Sequence, residues 1–103
     1  MVARSVVETV KEYADAIRVR FPVKRVILYG SFARGSQRPE SDIDVAVVLT
    51  SPPPNMLEAE AELFRMRRDI DLRIEPTIVE EEPDLSGFYE DISRYGTVVF
   101  SAT

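Results

Sequence analysis

The sequence predicts an α/β (α+β) fold, a small mixed β-sheet flanked by helices. Three observations predict it. Two short apolar runs, Val26-Ile27-Leu28 and Val45-Ala46-Val47-Val48-Leu49, have strand length and little alternation, as strands covered on both faces do. Apolar residues at helical spacing precede, separate and follow these runs. Breakers at Pro22, Gly30-Ser31, Pro52-Pro53-Pro54 and Pro76 divide them. The predicted order is α-β-β-α-β-α-β, in one domain spanning residues 1–103.

The first helix runs from about Ser5 to Arg20. Ser5 and Glu8 have capping-box spacing, and Val6, Val10, Tyr13, Ala14, Ile17 and Phe21 form one apolar stripe. Pro22 ends it. Lys24 to Tyr29 is the first strand, and Phe32 to Arg34 can form a helical turn before a loop over residues 35–41. Asp42 to Leu49 is the strongest strand, predicted to be central. After the stiff Pro52-Pro53-Pro54 connector, Asn55 caps a helix from Met56 to Arg68, with Glu58 at the reciprocal position. Ile70 to Glu75 alternates and reads as a third strand ended by Pro76. Glu80 to Asp84 reads as a solvated acidic loop. Leu85, Phe88, Ile92 and Tyr95 space as a short helix stopped by Gly96, and Val98-Val99-Phe100 is an edge strand.

Composition excludes much chemistry. There is no cysteine and no histidine, so thiol nucleophiles, thiolate or imidazole metal sites and a histidine base are all absent. What remains is carboxylate, hydroxyl, Lys/Arg and backbone N–H. Eighteen acidic against 13 basic residues give a net charge of −5, the wrong sign for a general nucleic-acid binder. No apolar run approaches the roughly 20 residues of a membrane span, and a cytoplasmic setting is expected.

The chemistry concentrates in Gly30-Ser31-Phe32-Ala33-Arg34-Gly35 and Asp42-Ile43-Asp44. Side chains two apart on a strand share a face, so Asp42 and Asp44 lean into one space. Two like charges there invite a hard cation, Mg²⁺ or Mn²⁺. Asp69, Asp71, Arg73 and Glu75 share a face if the third strand is as read, and Asp71 is chosen as a third carboxylate, with Asp69 its near rival. Three carboxylates suit a two-metal site. Gly30 lets a phosphate approach the backbone, Ser31 adds a hydroxyl and an N–H, and Arg34 offers a bidentate phosphate contact. Together these parts describe a site for a nucleoside triphosphate with Mg²⁺.

The stretch GSFARGSQRPESDIDVAVVL resembles the signature of the DNA polymerase β-like nucleotidyltransferase superfamily, and within it the minimal nucleotidyltransferases (MNT). Gly30 and Ser31 match the family's phosphate-binding positions, Asp42 and Asp44 its metal ligands, and Asp71 its third carboxylate. Arg34 and Gly35 match the extended motif of minimal members. The resemblance implies a polymerase β-like fold and transfer of AMP from ATP with two Mg²⁺ ions. It also implies the antitoxin role of HEPN/MNT toxin–antitoxin pairs, with the acceptor a tyrosine of a helical HEPN ribonuclease toxin. Two other functions stand beside this: an antitoxin that neutralises by binding alone, and a small-molecule nucleotidyltransferase assembled as a homo-oligomer.

The remaining features have plainer readings. Arg34 could instead pair with Glu40 on the surface, and Glu75 reads as a surface charge beside Pro76. Arg65, Arg67, Arg68 and Arg73 form a local basic cluster, which suits a helix C-terminus. Tyr13, Tyr29 and Phe88 read as core residues, while Tyr89 and Tyr95 read as partly exposed.

Overall fold

The computed structural model describes residues 2–35, 38 and 41–102, with the backbone alone for residues 2–5 and 34. Four helices and four strands follow in the order α1 (Val2–Arg18), β1 (Val23–Tyr29), α2 (Ser31–Arg34), β2 (Ile43–Leu49), α3 (Met56–Met66), β3 (Ile74–Ile78), α4 (Phe88–Tyr95) and β4 (Thr97–Ser101). They form one mixed sheet of order β3-β2-β1-β4. β1 is antiparallel to both β2 and β4, and β2 is parallel to β3. A parallel pair needs a crossover, which α3 supplies.

The larger core lies on one face of the sheet. Val6, Val10, Tyr13, Ala14 and Ile17 of α1 and Leu63 of α3 pack against Val26, Leu28, Ile43, Val45, Val47 and Ile74. The predicted α1 stripe is the buried one. Tyr13 is fully buried, and its hydroxyl donates to the Leu63 carbonyl at 2.7 Å. Burial pushes its phenol pKa up, so the hydroxyl stays a donor. The other face carries a smaller cluster, where Ile92 of α4 packs on Ile27, Ala46 and Val48, with Val79 and the half-buried Tyr29 and Tyr89.

Two expectations about the third strand are corrected. The third strand begins at Ile74, four residues later than read, because residues 67–73 form turns closed by Ile70 N–H and Asp71 N–H donating to the Arg67 carbonyl. Leu72, whose spacing from Ile74 suggested a strand, is exposed. Pro76 sits inside β3 rather than ending it. β3 is a sheet edge, and the Val79 N–H donates to Val47, so by alternation the nitrogen of Pro76 faces away from β2 and no ladder bond is lost.

The acidic loop is not merely solvated. Glu81 pairs with Lys24 and with Arg25 at 3.0 Å, and accepts from the Tyr89 hydroxyl at 3.2 Å. Asp84 accepts from the backbone N–H groups of Tyr89 and Glu90 at 3.0 and 2.9 Å, capping α4. Arg65, Arg67 and Arg73 of the basic cluster are similarly absorbed. Arg65 pairs with Glu62, Arg67 donates to the Leu72 and Ile74 carbonyls, and Arg73 pairs with Asp71.

Candidate functional site

The end of β1 and the start of β2 are neighbours because the strands are antiparallel and joined by α2 and its loop. Tyr29 is the register partner of Asp44. Gly30, next along the chain, has φ 77° and ψ −151°, a conformation essentially reserved for glycine. A Cβ at Gly30 would overlap the Asp44 carboxylate, with Oδ2 the nearest atom. The glycine is therefore required twice, by its backbone and by the closeness of Asp44. Ser31 opens α2 and is half-buried. Gly35 ends that turn in the left-handed region at φ 77°. The Arg34 side chain and the Arg34–Glu40 pairing lie outside the described residues.

Register carries the site across the sheet. Asp44 pairs with Glu75 on β3, and Tyr29, Asp44 and Glu75 form one row with side chains on one face. The phenol of Tyr29 reports this row. Its pKa is raised first by burial and further by the nearby Asp44 and Glu75 carboxylates, against a hydrogen bond with Thr77. Asp42 stands two residues before Asp44, exposed and just ahead of β2.

Asp71, chosen from sequence, lies in the turn before β3, not on the strand. It accepts from the Arg73 backbone N–H at 2.9 Å and from the Arg73 guanidinium at 3.1 and 2.8 Å. That guanidinium holds its carboxyl below the usual aspartate range. Its rival Asp69 is exposed in the same turn. Glu75, set aside in the sequence reading, is the carboxylate placed beside Asp44. It is 42% exposed, with Arg67 at 3.4 Å from one oxygen. The signal for it was parallel pairing of β2 with β3, which the proline after it concealed.

A cleft of about 390 Å³ opens at this row, between Gly30 and Asp44 on one side and Phe88, Asp91, Ile92 and Tyr95 of α4 on the other. Phe88 is 38% exposed there rather than in the core, with its ring edge-on to Tyr29 at 5.5 Å and 83°. A larger concavity, about 670 Å³, lies at the far end of β2 between Phe21 and the Pro52-Pro53-Pro54 connector, away from the glycine turn.

Among the described residues, no three acidic side chains converge as a ready-made cation site. The donor chemistry nevertheless fits a hard divalent cation. Asp44 and Glu75, on paired strand positions, and Asp42, just ahead of β2, offer only oxygen, and the missing Gly30 Cβ leaves the Asp44 oxygen room beside the turn.

Known proteins share this fold. The family model described as "Nucleotidyltransferase domain" matches residues 10–99. A Methanocaldococcus jannaschii protein named "Putative protein adenylyltransferase MJ0141" is 31% identical over 99 residues, covering 91% of this chain and 98% of its own. Among solved structures, "a putative nucleotidyltransferase from Sulfolobus solfataricus" superposes with a TM-score of 0.70 at 20% identity, over 96% of this chain and 83% of its own. A chain from the structure titled "toxin-antitoxin with AMP-PNP" superposes at 0.69 and 20% identity, over 90% and 74%. Two solved folds of this shape, a full-length relative and a family match across most of the chain accompany the Gly30-Ser31 turn set against Asp44, and the chain belongs to the nucleotidyltransferase domain family.

Proposed function

We propose that this nucleotidyltransferase moves AMP from Mg²⁺-bound ATP to a tyrosine hydroxyl of a partner protein, a helical HEPN-type toxin, and so acts as an antitoxin. Residues 1–103 form a catalytic domain. The observation that carries the reading is the Gly30-Ser31 turn packed on Asp44, in a row with Glu75. The name of the full-length relative supports a protein acceptor. The toxin–antitoxin titles of the neighbours, one of them "MntA-HepT", support the partner class.

Gly30 and Ser31 position the β- and γ-phosphates, helped by the Arg34 guanidinium and by Gly35, which turns the chain after it. Asp42, Asp44 and Glu75 would hold two Mg²⁺ ions, Mn²⁺ being able to replace them, which supply charge neutralisation on the entering and leaving oxygens. The acceptor oxygen forms a bond to the α-phosphorus as the α–β bridging P–O bond breaks, and pyrophosphate leaves. The hydroxyl proton passes to a carboxylate. That role falls to Glu75 rather than Asp71, since Asp71 is engaged by Arg73 through three hydrogen bonds.

The test is to mix the chain with ATP, Mg²⁺ and the product of the neighbouring gene, and to weigh both proteins intact. AMP on a tyrosine of the partner, lost with Asp42→Asn, is expected. Full neutralisation of the partner by Asp42→Asn, with no AMP on the partner when wild type is used, would replace the reading with inhibition by binding alone.

A further inference from the structure

We infer that α4 is the nucleoside wall of the site, with the Tyr95 ring stacking on the base and the Asp91 carboxylate accepting a hydrogen bond from the nucleoside. The inference rests on the nucleotide-binding reading above and deepens it. Phe88, Asp91, Ile92 and Tyr95 recur at i, i+3, i+4 and i+7, so one face of α4 carries them all. Ile92 is buried against Ile27, Ala46 and Val48 and anchors that face to the sheet. Gly96 fixes the other end. A Cβ there would lie 2.8 Å from Ile27 Cγ2 and 2.8 Å from the Leu28 carbonyl, so only glycine lets the C-terminal end of α4 lie this close to β1.

The anchoring leaves Tyr95 66% exposed yet lining the cleft that Gly30 and Asp44 floor. Arg94, its neighbour, lies 6.0 Å from the Tyr95 ring and is tied to Glu90 at 3.2 Å. The cleft is bounded by Asp44 and Tyr29 but not by Glu75, which stands across Asp44 on β3. With phosphates at Gly30-Ser31 and the acceptor on the Glu75 side, the α4 side is what remains for the nucleoside. An aromatic ring suits any base, because every base has a π-face. Asp91 only accepts hydrogen bonds when ionised, so it selects a donor, either an exocyclic amine or a ribose hydroxyl.

Calorimetric titration with Mg²⁺-ATP and with Mg²⁺-tripolyphosphate tests this. Wild type should bind ATP about tenfold tighter than tripolyphosphate, the size of one stacking contact. Tyr95→Ala should lose that factor for ATP and leave tripolyphosphate unchanged, while Tyr95→Phe keeps it. ATP should also quench wild-type tyrosine fluorescence more than it quenches Tyr95→Ala. Asp91→Ala should weaken ATP alone. The triphosphate of purine riboside, which lacks the amine, and 2′- and 3′-deoxy-ATP then identify the donor by which one wild type binds as weakly as the variant binds ATP. ATP affinity unchanged in Tyr95→Ala overturns the stacking role, and unchanged affinity in Asp91→Ala overturns the carboxylate's. If wild type binds neither ATP nor tripolyphosphate, the nucleotide site itself is refuted, and this inference with it.

Discussion

Gly30→Ala puts the geometry of the glycine turn under direct test. The substitution meets two separate costs. At φ 77° and ψ −151° an L side chain is strained, about 1–3 kcal/mol. The new methyl also overlaps the Asp44 carboxylate, and overpacking of this kind costs about 1–3 kcal/mol. A domain of this size has about 5–15 kcal/mol of stability, of which the variant should lose about 2–6 kcal/mol. That corresponds to a fall in Tm of roughly 10 °C or more. Urea unfolding followed by circular dichroism measures it. The two costs separate in a double-mutant cycle with Asp44→Ala, which removes Oδ2 and leaves the Asp44 Cβ 3.2 Å from the added methyl. Gly30→Ala should cost at least about 1 kcal/mol less in the Asp44→Ala background than in wild type. Equal costs in both backgrounds would refute the close approach of Asp44. A cost below about 0.5 kcal/mol in wild type would refute the backbone conformation as well.

Other expectations follow from individual contacts. Glu75→Gln should lower AMP transfer by about 100-fold or more, whereas Asp71→Asn should lower it by less than about tenfold, in the same intact-mass assay. Tyr13→Phe leaves the buried Leu63 carbonyl without its donor and should destabilise by about 1–3 kcal/mol in urea unfolding. Glu81 gives a pH-dependent case. Its carboxyl is pulled down to about 2 from the ordinary 4.5, first by the hydrogen bond from Lys24 and then by that from Arg25. A depressed carboxylate stabilises fully above its unfolded value and loses this as pH falls through its folded value. The Tm gap between wild type and Glu81→Gln should therefore be open at pH 7, narrow below about 4.5 and close near 2.

The elements that local physics controls were legible in the sequence. The α1 stripe, the Asn55 cap whose side chain accepts from the Glu58 N–H at 3.0 Å, the central β2 and the α4 stop at Gly96 all rest on spacing or on one residue's conformational limits. The adjacency of the glycine turn and the aspartates followed from two antiparallel strands and one short loop. Glu75 was different. Its place depends on β3 pairing in parallel with β2, a non-local choice that no window of residues encodes. The alternation of Leu72 and Ile74 drew the strand forward, and Pro76 seemed to end it. Both errors come from the same physics: an edge strand tolerates proline, and its lack of a second partner weakens its local pattern. The acidic loop misled for the opposite reason. Its charges looked solvated, but Lys24 and Arg25 on β1 face Glu81 across 57 and 56 residues of chain.

The distribution of cover on the sheet then bears on the kind of acceptor. One face is closed by α1 and α3 around the larger core. On the other, among the described residues, the helix that packs is α4, eight residues long, and it lies over β1. The carboxylates on β2 and β3 are left accessible, with Asp42 exposed and Glu75 nearly half so. A small acceptor bound there would need walls on the β3 side to exclude water and to orient its hydroxyl, and beside Glu75 stand Arg67, at 3.4 Å, and Thr77, two positions along β3. A tyrosine presented on the surface of another folded protein brings its own walls and its own orientation. The openness beside Glu75 and the cleft beside Tyr95 thus divide the site in a physically consistent way. On the function proposed above, the chain shapes the side that holds the nucleotide, and the partner completes the side that receives AMP.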